Sequence, residues 1–170
     1  MKIKQTPFSI ITLVIVVAFC GLMAIMYLKE TKKYKQIPLL ELAPLQGEVI
    51  KTAKILEEHH PFAFVFFHPA CPHCIDEMHD IVEACRTNEK YKWFFITTAS
   101  STEAERFFSN FSQQLPNKIY IIAEEDYPQA HLLFDVSSPP AVFLYNSNGK
   151  LYWHRKGKTP KGLIASIINR

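Results

Sequence analysis

The chain predicts an α/β fold, a mixed sheet covered by helices on both faces. Three observations lead there. Apolar runs at 62–67, 93–98 and 119–122 are short and are followed by stretches with helical spacing. Such strand–helix alternation implies parallel, right-handed crossovers. Late in the chain, apolar runs at 141–145 and 151–153 flank Asn146-Ser147-Asn148-Gly149, a hairpin signal that adds antiparallel strands.

Taken from the N-terminus, residues 8–28 carry no charge and almost only apolar types. That is about the length needed to cross a bilayer. The run passes Cys20 without a clear Ala-x-Ala cleavage site, which predicts a retained anchor rather than a cleaved signal peptide. Bulky Phe19 argues against lipoprotein cleavage before Cys20. The predicted division is a tail over 1–7, a transmembrane anchor over 8–28, a juxtamembrane linker over 29–45 and a folded domain over 46–170.

Charge follows that division. Residues 1–35 carry a net +5 and the remainder a net −2, so the basic balance belongs to the anchor's flanks. It points to anionic headgroups and gives no support for nucleic-acid binding.

In the domain, Val49, Ala53 and Leu56 predict a short helix. The run 62–67 reads as a strand apolar on both faces, as in the middle of a covered parallel sheet. From Cys74 to about Cys85 the spacing predicts a helix with Ile75, Met78, Ile81, Val82 and Cys85 as its stripe. A second buried strand follows at 93–98. Ser100 and Glu103 form a capping-box pattern before Ala104, Phe107, Phe108, Phe111 and Leu115. A third strand spans 119–122, a short helix or turn 127–134, and the hairpin 141–153. Thr159-Pro160 is expected to cap a last helix carrying Leu163, Ile164, Ile167 and Ile168.

Chemistry concentrates at Cys71-Pro72-His73-Cys74, between a buried strand and a helix start. Two thiols at this spacing can close a disulfide and reopen it. The helix start supplies unpaired N–H groups and partial positive charge, which favour a thiolate. Cys71, at the entrance, is expected to attack. Cys74, one turn in, is expected to resolve the mixed disulfide. Pro72 suits the first turn because its missing N–H costs no helix bond there. His73 is read as the tuning residue, a cation between the two thiols. Cys85 lies eleven residues past Cys74, roughly 16 Å along the helix, and reads as a buried inert thiol.

Three segments together resemble the thioredoxin-like superfamily, and within it the membrane-anchored thiol–disulfide oxidoreductases of bacterial envelopes, the TlpA-like or redoxin group. They are Phe66-Phe-His-Pro-Ala-Cys71-Pro-His-Cys74, Val136-Ser-Ser-Pro-Pro140 leading into Ala141-Val-Phe-Leu-Tyr145, and Asn146-Ser-Asn-Gly149-Lys150. The resemblance runs from about Val49 to Arg170. It implies a thioredoxin-like fold, a redox-active Cys71–Cys74 disulfide and a cis-proline beside it, at Pro140 or alternatively Pro139. It implies that both prolines meet the substrate. Pro139, lacking an N–H, would offer a bound polypeptide only its carbonyl. The Pro-His pair resembles that of strongly oxidising DsbA-like enzymes, which implies a potential above thioredoxin's.

The implied partners are protein thiols or disulfides, an upstream redox partner, and the bilayer through the N-terminal helix. No cofactor and no metal are called for. The implied location is the bacterial cytoplasmic membrane, with the domain on the periplasmic or extracytoplasmic side. Lysines after the anchor outnumber those before it, which taken alone favours the opposite orientation.

Two departures stand out. Val65 occupies the place of the buried acid of thioredoxins, and Ala70 that of the tryptophan before the first cysteine. Glu57, Glu58 and Glu77 are near in sequence as substitute proton acceptors, and His68 is a candidate shuttle. Two other readings stay open. Cys71, Cys74, His68, His73 and His79 could serve a copper-binding module, although its resemblance is to Cys-x-x-x-Cys. The fold could also act as a non-catalytic scaffold.

Overall fold

A computed structural model describes residues 7–30, 34–111, 115, 119–125 and 128–170. It divides into two units, residues 1–33 and 34–170.

The first unit's described part is one helix, α1 (Pro7–Glu30). Its described side chains, at 11–26, are exposed. Among the described residues no helix is long and apolar enough to cross a membrane. The span expected at 8–28 is therefore not borne out here.

The second unit opens with β1 (Glu41–Leu42) and β2 (Ile50–Lys51), an antiparallel pair. Residues 34–45, expected as connector, belong to this unit. Ile37, Leu40 and Leu42 are buried, and the Leu40 N–H donates to Thr52 Oγ1 at 2.9 Å. The connector reading missed them because three apolar residues without regular spacing carry no periodic signal. The next elements are α2 (Thr52–Glu57), β3 (Phe62–Phe66), α3 (Pro72–Thr87), β4 (Lys92–Thr97) and α4 (Ser101–Ser109). They are followed by β5 (Ile119–Ala123), α5 (Gln129–Leu133), β6 (Ala141–Tyr145), β7 (Leu151–Lys156) and α6 (Leu163–Ile168).

The five long strands form one mixed sheet in the order β5-β4-β3-β6-β7. The β3–β4 and β4–β5 pairs are parallel, β3–β6 and β6–β7 antiparallel. Alternation along β3 divides the core. Ala63 and Val65, with Phe67 beyond the strand, face α3, α4 and α6 through Met78, Ile81, Phe108 and Ile164. Phe62, Phe64 and Phe66 face α2, α5 and the 37–42 segment through Ile55, Phe134 and Leu40. Burying each such phenylalanine is worth roughly 2–3 kcal/mol, so the central strand is tightly held.

Several boundaries differ from expectation. The α3 stripe is Cys74, Glu77, Met78, Ile81, Val82, Ala84 and Cys85, and Ile75 points outward. Helix α4 stops at Ser109, although Phe111 is buried beyond it; residues 112–114 lie outside the described set. Tyr127, expected in the short helix before Phe134, also lies outside it. The last helix is not capped by Thr159-Pro160. Its N-cap is Gly162 at φ 72°, a left-handed value that favours glycine, and Thr159 is drawn inward to α3. In the β6–β7 turn, Gly149 has φ 71°, and a Cβ there would stand 2.5 Å from Leu56 Cδ2. That close approach explains the glycine.

Candidate active site

The site stands where β3 ends. Phe67 passes its N–H to Ile96 O at 3.0 Å, holding the chain on the sheet until the turn begins. The turn then closes on His68: the Cys71 N–H donates to His68 O at 3.0 Å, and the Ala70 N–H to His68 Nδ1 at 3.2 Å. His68 shapes the loop that delivers the first cysteine.

Cys71 is the N-cap residue of α3, in extended conformation at φ −88° and ψ 114°. Its sulfur accepts the Cys74 N–H at 3.3 Å. That is the capping bond serine makes elsewhere, here made by a thiol. Negative charge on this sulfur would meet an N–H donor and the helix's positive end. Cys71 is half-buried, whereas Cys74 is only 2% exposed. Both thiols are free. Burial pushes the Cys74 thiol up to about 12, with the Cys71 sulfur and the Glu77 charge adding to the effect. At neutral pH Cys74 is therefore held as a thiol until a base or a reaction partner relieves it.

The second wall is the proline loop. The Pro139–Pro140 bond is cis, so the cis-proline is Pro140. The Cys71 thiol lies 3.9 Å from Pro139 O, and the Gly157 N–H donates to Pro140 O at 2.7 Å. The prolines therefore sit beside Cys71 although 68 residues separate Cys71 from Pro139.

His73 is exposed at the helix start, and its charge helps hold Asp76 below the usual carboxylate range. Lys158 is the larger cause, with Nζ 2.8 Å from Asp76 Oδ2. His79 is exposed and packs against Phe111 at 5.2 Å between ring centroids.

Glu77 is a buried acid in the same helix as the cysteine pair. It is 2% exposed on the buried stripe of α3, one turn after Cys74. Its Oε1 accepts the Thr159 N–H at 3.2 Å, and its Oε2 has no hydrogen-bond partner among the described residues. Burial holds its carboxyl above the usual range, while Thr159 and the nearby Arg155 charge pull the other way. The signal for it was present in the sequence: a glutamate at i+3 from Cys74, on the helix's own apolar stripe. Glu57 and Glu58 do not reach the site. Both are exposed, and Glu58 pairs with Lys92 at the start of β4, the opposite end of the parallel strands.

Cys85 is fully buried in the core, and burial lifts its thiol far above the ordinary range. Among the described residues no group of three or more His, Cys, Asp or Glu side chains is placed to hold a metal ion. Cys71, Cys74, His68, His73 and His79 are thus not gathered into such a group.

No known family pattern matches the chain, and no curated protein matches it. Solved structures do. The MTB protein dsbF aligns with TM-score 0.65 at 15% identity, covering 81% of this chain and 95% of its own. A secreted Mycobacterium tuberculosis disulfide oxidoreductase homologous to E. coli DsbE aligns with TM-score 0.63 at 16% identity, covering 81% and 95%. A thiol:disulfide interchange protein of the thioredoxin family from Chlorobium tepidum gives 0.63 at 16%, covering 79% and 94%. The fold is thioredoxin-like. Within this thioredoxin-like chain, the near pair Cys71–Cys74 fits a Cys-x-x-Cys active site, and the structural relatives are thiol–disulfide oxidoreductases.

Proposed function

We propose that the chain catalyses thiol–disulfide exchange with protein substrates, Cys71 attacking and Cys74 resolving. One observation carries this: an accessible sulfur capping α3, 3.3 Å from the N–H of a buried second cysteine. In the reducing direction, the Cys71 thiolate attacks one sulfur of a substrate disulfide. That S–S bond breaks, a Cys71–substrate disulfide forms, and the other substrate sulfur leaves as a thiolate. Cys74 then loses its proton and attacks Cys71. The substrate leaves as a dithiol, and the Cys71–Cys74 disulfide holds the two oxidising equivalents. The oxidising direction is the reverse.

Glu77 is proposed to receive the Cys74 proton. It lies one helical turn away, its charge acts on Cys74, and burial raises its proton affinity. His73 is proposed to tune the potential through its position between the thiols. Pro139 and Pro140 are proposed to meet the substrate backbone. An upstream redox partner would reset the pair.

The proposed setting is the bacterial cytoplasmic membrane, with the domain outside. It rests on the uncharged 8–28 run in the sequence and on the oxidising chemistry that such a pair suits. Alkylation of the cysteines in intact cells by a membrane-impermeant reagent tests the compartment. Insulin reduction and peptide-dithiol oxidation test the activity. Both should proceed with the wild-type chain and stop with Cys71→Ser. Exchange that persists without Cys71 would refute the assignment.

A further inference from the structure

Ile75 is a large apolar side chain that is 41% exposed on α3, immediately after Cys74. It lies at the edge of a hollow of about 530 Å³, within the usual range for specific pockets. The hollow lies between α3 and α4. Its apolar lining is Pro69, Ala70, Ile75, Phe107 and Phe111, and its polar lining is His79, Glu103, Arg106 and Asn110. Phe107 and Phe111 are 8% and 5% exposed, so they form a firm aromatic base. Ala70, the neighbour of Cys71, brings only a methyl group and leaves the entrance uncovered.

The rim carries opposite charges, Glu103 and Arg106. The Glu103 carboxylate is committed to its capping box, accepting the Ser100 N–H at 3.1 Å and the Ser100 hydroxyl at 2.8 Å. Arg106 is exposed and forms no ion pair among the described residues. Glu103 nonetheless keeps its negative charge, and the Arg106 charge acts on it.

We propose that this hollow is a side-chain subsite for the protein substrate. Resting on the exchange reading above, it seats an apolar, preferably aromatic, residue next to the substrate's reactive cysteine. The reach is right. Ala70 and Ile75, which line the hollow, are the chain neighbours of Cys71 and Cys74, so the hollow opens next to the cysteine pair. Pro139 does not line the hollow, so this subsite is separate from the proline wall.

The test uses reduced full-length protein and short cysteine peptides carrying thionitrobenzoate as the leaving thiol. Cys71 displaces the coloured thiol and forms a peptide disulfide, which Cys74 then resolves. Each rate is divided by that variant's own rate with oxidised dithiothreitol. The wild type should react about tenfold faster with a Phe-flanked peptide than with a Gly-flanked one. Ala70→Trp, which fills the entrance, should remove the Phe preference. Arg106→Glu should keep the aromatic preference. Equal rates for Phe and Gly peptides, or a preference that survives Ala70→Trp, would overturn the subsite while leaving exchange itself intact. An equal Ala70→Trp-sensitive gain with glutathione as the displaced partner would also overturn it, since the occupant would then be a small thiol. No reaction with dithiothreitol at all would refute the exchange reading, and the subsite with it.

Discussion

Helix α3 carries two buried cysteines with opposite surroundings. Cys74 is 2% exposed and Cys85 is 0% exposed, and burial raises the proton affinity of both thiols. Cys74 sits in the first turn, where its own N–H reaches the Cys71 sulfur and a buried glutamate follows on the same stripe. Cys85 sits three turns further on, in an apolar cluster that includes Ile81, Trp93 and Ile168. Burial alone makes a thiol inert. In the proposed exchange, a helix end, a partner sulfur and a nearby acid together make Cys74 usable.

The sharpest way to break this contrast is paired substitution. Cys71→Ser should reduce exchange at least a thousandfold, and Cys85→Ala should leave it unchanged while costing about 1–2 kcal/mol of stability. Insulin reduction and urea unfolding read the two effects. A large loss of exchange in Cys85→Ala at full folding would place that thiol in the chemistry.

Cys74→Ser should still let Cys71 attack but should trap the mixed disulfide. Gel shift and mass spectrometry would show substrate attached to Cys71, with turnover lost. Free turnover in this variant would mean that Cys74 does not resolve.

Glu77→Gln should be milder, slowing resolution about a hundredfold at neutral pH and shifting the rate's pH dependence upward. It also tests stability. A carboxyl whose folded pKa is raised contributes most when protonated, so that contribution is present at low pH. It is lost as pH rises from the ordinary carboxyl value, about 4.3, through the raised folded value. Urea unfolding should show wild-type stability declining across that window relative to Glu77→Gln. A flat difference would mean that the carboxyl titrates normally.

Pro139→Thr is the smallest expected effect. It restores an N–H beside Cys71, and mixed-disulfide formation with an extended peptide should strengthen a few-fold, in line with one added hydrogen bond of about 1 kcal/mol. Stopped-flow rates with a cysteine peptide measure it.

Much of the domain was legible because its signals are local. The fully apolar 62–67 run, the Ser100–Glu103 capping box and the Asn146–Gly149 turn each encode their structure within a few residues. The capping box appears with both reciprocal bonds, and Asn146 Oδ1 accepts the N–H groups of Asn148 and Lys150 at 3.0 Å each. The 34–45 segment was not legible, because irregularly spaced apolar residues do not announce what they will cover.

The sequence by itself determined where two sulfurs stand relative to a helix start, since Cys71, Pro72 and Cys74 are neighbours in the chain and the turn that joins them is short. Only the tertiary structure decided their surroundings. It brought Pro139 O to the Cys71 thiol across 68 residues and the Thr159 N–H to Glu77 across 82. It also opened the hollow beside Ala70 by the way α4 packs on α3. The physical reason is range. Caps and turns are set by bonds between near neighbours, whereas the burial of Glu77 and the space next to Cys71 depend on which distant segments the sheet order places there.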